Sequence, residues 1–197
     1  MQLQTRPPQD PKTHTPEEYL ALEETSETRN EYRNGQIIPM AGGTPAHNRI
    51  TGNIYKHLDD LDGDLDVFFA DMRLWIPATQ TYTYPDVMVI SDGLQLLSGR
   101  NDTVINPCLI VEVLSDSTRA YDRDEKFRSY RSIPSFCDYL LVEQDTIHVE
   151  HFAKTNTGQW LLTDYDDLSA SIPLGSIASE LPLTTIYRKL AIAAQSS

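Results

Sequence analysis

The stretch Cys108-Leu109-Ile110-Val111-Glu112-Val113-Leu114 holds a single carboxylate in an otherwise apolar run. A run this short, rich in valine and isoleucine and preceded by Pro107, predicts a buried β-strand. An ionised carboxylate inside such a strand is costly unless it is paired or bound to a metal. Glu112 is therefore the first candidate for a functional side chain.

A second strand-like run, Tyr84-Pro85-Asp86-Val87-Met88-Val89-Ile90, opens with the lone carboxylate of Asp86. Side chains alternate between the two faces of a strand, so the two carboxylates converge at one sheet edge if the two strands pair. Hard divalent cations such as Mg²⁺ or Mn²⁺ prefer carboxylate and carbonyl oxygens. We therefore predict a metal held by Asp86, Glu112 and the backbone carbonyl of Val113.

Three further side chains complete the predicted catalytic set. Lys126 lies in a charged stretch, where helical spacing places it on one stripe with Asp122 and Tyr130. Its ammonium could orient an attacking water or stabilise a pentavalent phosphate. Glu31, in a predicted hairpin, could add a carboxylate, and His47, near a helix N-terminus, could contact a phosphate or act as an acid.

Each candidate also has a purely structural explanation. Glu112 could pair with a buried arginine, and Asp86 could be a turn residue that starts a strand. Lys126 could form only a weak surface pair with Asp122. Glu31 could be an exposed residue of the hairpin, and His47 could be an ordinary residue at a helix start. A functional site is favoured because all five fall, in order, on elements that can be neighbours in one domain.

Helices and strands alternate along the sequence. Helices are predicted at about 15–25, 44–58, 118–132 and 184–194. Strands are predicted at 31–33, 36–38, 67–69, 73–76, 84–90, 108–114, 136–142, 146–152 and 160–163. The segments 77–83 and 91–106 are predicted as loops, the second with room for a helical turn at 94–97. This order predicts a mixed α/β or α+β domain whose central sheet is covered by helices.

The amino-acid composition is that of an ordinary soluble protein. Of its residues, 40% are hydrophobic and 23% are charged. The polar segment 1–14, with Pro7, Pro8 and Pro11, predicts a flexible tail, and the length of 197 residues predicts a single domain at 15–197. The net charge of −13 argues against a broad basic nucleic-acid surface. We expect no signal peptide and no membrane span. Cys108 and Cys137 are expected to be unpaired thiols in a reducing compartment, which predicts a cytoplasmic protein.

These residues resemble a known family. Pro85-Asp86 and Glu112-Val113-Leu114 resemble motifs of the PD-(D/E)XK nuclease superfamily. The segments 30–37, 45–50, 111–119 and 121–126 are similar to one branch, the Uma-two family of proposed restriction endonucleases, which is abundant in photosynthetic bacteria. The similarity covers roughly residues 15–190.

The resemblance implies a restriction-endonuclease-like core, in which a mixed central β-sheet is flanked by helices. It also implies that Asp86 and Glu112 bind the metal. In the superfamily the motif lysine lies two positions after the glutamate, where this chain has Leu114. Lys126 is similar to the lysine that this branch carries on the following helix.

Three functions follow as hypotheses. The favoured one is a Mg²⁺-dependent endonuclease that hydrolyses nucleic acid, with DNA as the preferred substrate and a homodimer as the expected assembly. The second is a catalytically silent interaction module on the same fold, which the acidic balance favours. The third is a hydrolase of a small phosphorylated or acidic metabolite.

Overall fold

The computed structural model describes residues 13–192. The helical elements are α1 (Pro16–Glu23), α2 (Pro45–Asp59), α3 (Arg119–Tyr121), α4 (Phe127–Tyr130) and α5 (Leu183–Ile186). A π-helical segment, Asp122–Lys126, joins α3 to α4, and we call the whole element the 119–130 helix. No helix in the described part of the chain is long and apolar enough to cross a membrane. Residues 1–12 of the predicted tail lie outside the described residues.

Thirteen strands follow one another along the described residues. They are β1 (Asn30–Arg33), β2 (Gln36–Pro39), β3 (Asp66–Phe69), β4 (Arg73–Ile76), β5 (Thr81–Thr83), β6 (Val87–Ile90), β7 (Thr103–Val104), β8 (Leu109–Leu114), β9 (Asp138–Glu143), β10 (Val149–Lys154), β11 (Trp160–Tyr165), β12 (Ser171–Leu174) and β13 (Ser179–Pro182).

The strands form two large sheets and a hairpin. The central sheet has six strands in the order β11-β10-β9-β8-β6-β3, and the second sheet has five in the order β2-β1-β5-β4-β7. Strand β8 lies inside the central sheet, where it pairs parallel with β9 and antiparallel with β6. The predicted mixed sheet flanked by helices is therefore confirmed. The second sheet was not predicted as a separate layer.

Both faces of the central sheet are covered. Helix α2 places Ile50, Ile54 and Leu58 against one face, at a spacing that keeps apolar side chains on one stripe. On the other face, Phe127 and Tyr130 of the 119–130 helix pack among side chains of β8 and β9. Strand β8 is thus buried on both sides, which accounts for its apolar sequence and leaves one carboxylate inside the protein.

The predicted helix starts and hairpin turn are confirmed. Thr15 forms a capping box with Glu18, and the Thr44 side chain caps α2. Asn34 and Gly35 both have positive φ, 43° and 95°, which is the backbone that a tight two-residue hairpin turn requires. Local sequence is sufficient at these places because the stabilising contacts are themselves local.

The loop predicted at 77–83 is wrong for its last three residues, which form β5. This strand pairs with both β1 and β4. Its Tyr82 stacks on Tyr19 of α1, with 5.1 Å between the ring centroids. The contact joins segments far apart in the chain, so the short threonine-rich stretch gave too little local signal.

The long loop predicted at 91–106 contains the short strand β7. The apolar patch near its start does not form a helical turn, since Leu96 makes an isolated bridge to Val104. Val104 also pairs with Leu74 of β4. The patch therefore extends the second sheet instead of starting a helix.

The helix predicted at 184–194 is a single turn, α5, so that prediction is wrong. Asn53 of α2 donates hydrogen bonds to the backbone carbonyls of Ile186 and Arg188, both at 3.0 Å. The helix ends at Ile186, and Lys189, three residues later, adopts a left-handed φ of 61°. The hairpin formed by β12 and β13 precedes it and was not predicted. The last two residues of the predicted helix lie outside the described residues.

Candidate functional site

The two predicted metal-binding carboxylates face each other across adjacent strands. In the antiparallel pair of β6 and β8, Val87 lies opposite Val111. One step further along this register, Asp86 comes opposite Glu112. The backbone N–H of Val113 donates a hydrogen bond to Asp86 Oδ2 at 2.8 Å. The pairing assumed from the sequence is therefore present, and it brings all three residues together.

Both carboxylates line a cavity of about 670 Å³, which we call the acidic cavity. Its walls come from the β1–β2 hairpin, the start of α2, the end of β8 and the 119–130 helix. The charged and titratable side chains that line it include Glu31, His47, Asp86, Glu112, Asp122 and Lys126. All five predicted catalytic residues are thus in one cavity, together with Asp122.

Lys126 is the buried cation of this cavity. Its Nζ donates a hydrogen bond to Glu112 Oε1 at 2.9 Å, and it lies 3.1 Å from Asp122 Oδ1 and 3.6 Å from Glu31 Oε1. The Lys126 side chain is only 8% exposed and that of Asp122 only 2%. The alternative of a weak surface pair between them is therefore wrong.

Asp86 and Glu112 each accept hydrogen bonds through only one of their two carboxylate oxygens among the described residues. Glu112 Oε1 accepts from the Tyr130 hydroxyl at 2.7 Å as well as from the lysine. Asp86 Oδ2 accepts from Val113 and lies 3.2 Å from His47 Nε2. Within residues 13–192, Asp86 Oδ1 and Glu112 Oε2 accept no hydrogen bond. One oxygen of each carboxylate therefore remains available to a ligand in the cavity.

Neighbouring charges shift the pKa values of His47 and Glu31 in opposite directions. Burial acts to lower the pKa of His47, but the Asp86 carboxylate 3.2 Å away and the charge of Asp122 outweigh it and raise the pKa above its ordinary value. Burial acts to raise the pKa of Glu31, but the positive charges of Lys126 and Arg33 outweigh it and lower the pKa. Glu31 is thus a buried, ionised carboxylate.

The negative charge of the cavity exceeds what Lys126 can balance. Burial raises the pKa of Glu112 to about 8 despite the opposing effect of Lys126, and the charges of Asp122 and Asp86 add to the rise. Burial alone would lower the pKa of Lys126, but Glu112, Glu31 and Asp122 raise it well above its ordinary value. Both shifts have one consequence: the cavity favours an added proton or cation.

This charge balance predicts how stability depends on pH in the absence of divalent cations. Glu112 has a higher pKa in the folded than in the unfolded protein, so between about pH 5 and 8 the folded state holds the extra proton. The free energy of unfolding should therefore fall as pH rises through this window, by at most about 1.4 kcal/mol per unit from this group. The raised pKa of His47 acts in the same direction. Urea unfolding in EDTA across the window measures the slope.

The matching variant for that measurement is Glu112→Gln, which cannot take up the proton. Its slope should be smaller than that of the wild type over the same pH range. An equal slope would mean that the carboxylate of Glu112 does not titrate in this window.

Three side chains in this region were not predicted as site residues. Asp122 and Tyr130 were placed on the stripe of Lys126, but nothing in the sequence distinguished that stripe from an exposed one. Arg33 lines the cavity and stacks its guanidinium on Tyr121, 3.2 Å from the ring centroid. The spacing places the first two beside Lys126 but does not show that they are buried, and the contact of Arg33 joins separate segments.

A separate group of possible metal ligands lies outside the acidic cavity. Among residues 13–192, only His148, Glu150 and Asp164 bring three side-chain ligand atoms within 4.8 Å of one another. Glu150 already accepts a hydrogen bond from Arg123 at 3.0 Å, and His148 contacts Asp166 at 2.5 Å. The ligand atoms of the acidic cavity are farther apart than this among the described residues, and three of its carboxylates surround the Lys126 ammonium.

Comparison with known proteins identifies relatives across most of the chain. The chain is 42% identical over 163 residues to "Uncharacterized protein sll1609" of Synechocystis sp. (strain PCC 6803), covering 82% of this chain and 92% of that protein. It is 40% identical over 181 residues to "Uncharacterized protein slr1290" of the same organism, covering 90% and 93%.

A solved structure has the same fold. The crystal structure titled "a putative nuclease belonging to DUF820" from Anabaena variabilis matches with a TM-score of 0.71, over 88% of this chain and 97% of that chain, at 19% identity. This likeness shows that the two chains share one fold. The Uma2 family model, described as "Putative restriction endonuclease", matches residues 16–185. The chain therefore belongs to the Uma2 family.

Proposed function

We propose that this protein is a metal-dependent endonuclease that hydrolyses phosphodiester bonds of nucleic acid, with DNA as its substrate and Mg²⁺ or Mn²⁺ as its cofactor. The observation that carries the proposal is the meeting of Asp86 and Glu112 on adjacent strands beside the buried ammonium of Lys126. Membership of a family described as "Putative restriction endonuclease" supports this reaction class.

The ligand atoms around the cavity suit a hard divalent cation. Asp86 Oδ1 and Glu112 Oε2 accept no hydrogen bond from the described residues, and the Val113 carbonyl is our candidate for a third protein ligand. Bound there, Mg²⁺ would polarise the scissile phosphate and lower the pKa of a coordinated water. The added positive charge would also favour the ionised form of Glu112, whose pKa is otherwise raised.

The protein's own side chains have distinct roles in this proposal. The Lys126 ammonium orients the attacking water and stabilises negative charge that develops on the phosphate. Glu112 and Glu31 hold that ammonium in place. His47, whose raised pKa favours a bound proton, lies against Asp86 and can donate the proton to the leaving oxygen.

The net charge of −13 is the observation that favours the two alternatives, a small phosphorylated metabolite as substrate and a silent interaction module. Hydrolysis of nucleotides but not of DNA or RNA would identify the first. A pull-down partner that is retained by Asp86→Ala would favour the second.

A homodimer in the cytoplasm is the assembly that we propose. Strand β11 forms one edge of the central sheet and exposes Leu161 and Leu162, by 59% and 46%. Pairing with a second copy along this edge would cover both leucines. Light scattering in solution tests the assembly, and a monomeric mass would contradict it.

The proposed function is tested by plasmid cleavage with the full chain. The wild type should cut DNA in Mg²⁺ but not in EDTA, and Asp86→Asn should reduce the rate by about 100-fold or more, because a ligand carboxylate is lost. Asp92→Asn is the matched control, since Asp92 is an exposed aspartate just after the same strand. It should cut at the wild-type rate. Equal rates for wild type and Asp86→Asn would contradict the proposal.

A further inference from the structure

We propose that Arg33 and Arg128 bind a phosphate of the substrate strand, next to the phosphate that is cut, an inference that rests on the proposed function. The two arginines line a second cavity of about 220 Å³, which we call the side cavity. Arg33 and Tyr121 line both this cavity and the acidic cavity, so the two cavities adjoin at these residues. A nucleic-acid strand that enters the acidic cavity can therefore continue into the side cavity.

The first observation is that the Arg33 guanidinium is held in place and still has free donors. Its Nε donates a hydrogen bond to Glu31 Oε2 at 3.0 Å, Nη2 donates to the same oxygen, and Cζ lies 3.2 Å from the Tyr121 ring centroid. A guanidinium has five N–H donors, and Nη1 of Arg33 donates no hydrogen bond to the described residues. The side chain is 26% exposed. Arg33 is thus preorganised to bind an anion.

The second observation is the position of Arg33 beside the predicted catalytic ammonium. Lys126 Nζ lies 5.6 Å from the centroid of the same Tyr121 ring. Glu31 lies between the two cations, 3.6 Å from Lys126 Nζ and hydrogen-bonded to Arg33. Successive nucleotides of one DNA strand rise by about 3.4 Å along the helix axis. A strand whose scissile phosphate contacts Lys126 therefore brings a neighbouring phosphate within reach of Arg33.

The third observation is the charge around the two cavities. Six carboxylate side chains line the acidic cavity, and Arg33 is the only arginine among the described residues that lines it. These carboxylates repel a phosphodiester, and guanidinium groups beside the cavity offset that repulsion. The planar guanidinium also matches two phosphate oxygens at once. Arg128 adds a second guanidinium in the side cavity, where its side chain is 67% exposed and pairs with the exposed Asp124.

The experiment measures binding of a fluorescein-labelled DNA duplex to the full-length protein by fluorescence anisotropy, with Ca²⁺ in place of Mg²⁺ to slow cleavage. Arg33→Met and Arg128→Met should each bind DNA about tenfold more weakly than the wild type, because a charged hydrogen bond to phosphate is lost. The plot of log affinity against log salt concentration should become shallower by about 1 for each variant. Arg128→Met keeps the test decisive if Arg33→Met does not fold, since the Arg128 side chain is exposed.

The chain offers a matched control and a variant with the opposite expected effect. Arg29 lies just before β1 and pairs with Asp71 at 3.4 Å, but it lines neither cavity. Arg29→Met should bind DNA as the wild type does, within about twofold. Glu125 is an exposed carboxylate that lines the side cavity. Glu125→Gln should bind DNA about two- to threefold more tightly, because one repulsive charge is removed.

Steady-state cleavage in Mg²⁺ separates substrate binding from the reaction itself. Arg128→Met should raise KM by about tenfold and leave kcat within about twofold of the wild type. The reason is that a contact with a neighbouring phosphate is the same before and during bond cleavage. A lower kcat with an unchanged KM would contradict a binding role for Arg128.

The outcomes separate this phosphate site from the proposed nuclease. Wild-type affinity in both arginine variants, together with Mg²⁺-dependent cleavage by the wild type, refutes the phosphate site and leaves the proposed reaction intact. A wild type that binds DNA without cutting it, and binds more weakly in both arginine variants, refutes the reaction and supports the phosphate site. A wild type that binds no DNA contradicts both.

Discussion

Replacing Lys126 with methionine should lower the free energy of unfolding by about 3–5 kcal/mol near pH 8. The ammonium is buried and lies within 3.6 Å of carboxylate oxygens of Glu112, Asp122 and Glu31. Methionine fills a similar volume but leaves Glu112 and Asp122 without this counter-charge. The loss should be smaller at lower pH, because the carboxylates can then take up protons. Chemical denaturation in EDTA measures the change.

The control for this variant is Lys56→Met. Lys56 also pairs with an aspartate four residues later, Asp60, but both side chains are 62% exposed. Its replacement should cost less than about 1 kcal/mol. Saturating Mg²⁺ should restore part of the stability of Lys126→Met but none of its cleavage activity, since the cation replaces the charge and not the donor. Equal stability of the two methionine variants would contradict the buried-charge argument.

Replacing Glu112 with glutamine should reduce Mg²⁺-dependent cleavage by about 10³-fold or more, because the variant loses a ligand and the charge that attracts the cation. The same variant should be at least as stable as the wild type in EDTA near pH 8. Glutamine can still accept the hydrogen bonds from Tyr130 and Lys126 while removing one of several crowded negative charges. Activity and stability should thus change in opposite directions.

Glu180→Gln provides the comparison, because Glu180 is an exposed glutamate on a strand outside the acidic cavity. The Glu180→Gln variant should have a cleavage rate and a stability near those of the wild type. Cleavage rates and thermal unfolding of the wild type, Glu112→Gln and Glu180→Gln, measured in parallel, test this prediction. A Glu112→Gln protein that is strongly destabilised and fully active would contradict both parts of the prediction.

The sequence was sufficient where the determining contacts are local or follow from strand alternation. The apolar run around Glu112 predicted β8, and the run after Asp86 predicted β6. Once those strands pair, their register leaves little freedom in where the two carboxylates lie. The Asn34-Gly35 turn and the threonine caps were equally local, since each is stabilised within a few residues of itself.

The sequence was insufficient where burial depends on a distant segment. Asp122 and Lys126 have the spacing of an ordinary surface pair, and the exposed pair of Lys56 and Asp60 has the same spacing. Only the packing of the 119–130 helix on the central sheet distinguishes the two. The π-helical turn has no glycine or proline to indicate it, so it too depends on tertiary contacts.

Asp86 and Glu112 come from the central sheet, whereas the Lys126 ammonium comes from the 119–130 helix. Leu114, at the position of the superfamily's lysine, is instead fully buried in the core. In the proposed nuclease, a shift of the 119–130 helix on its neighbours, for example through Phe127, would move the Lys126 ammonium while Asp86 and Glu112 kept their positions in the sheet.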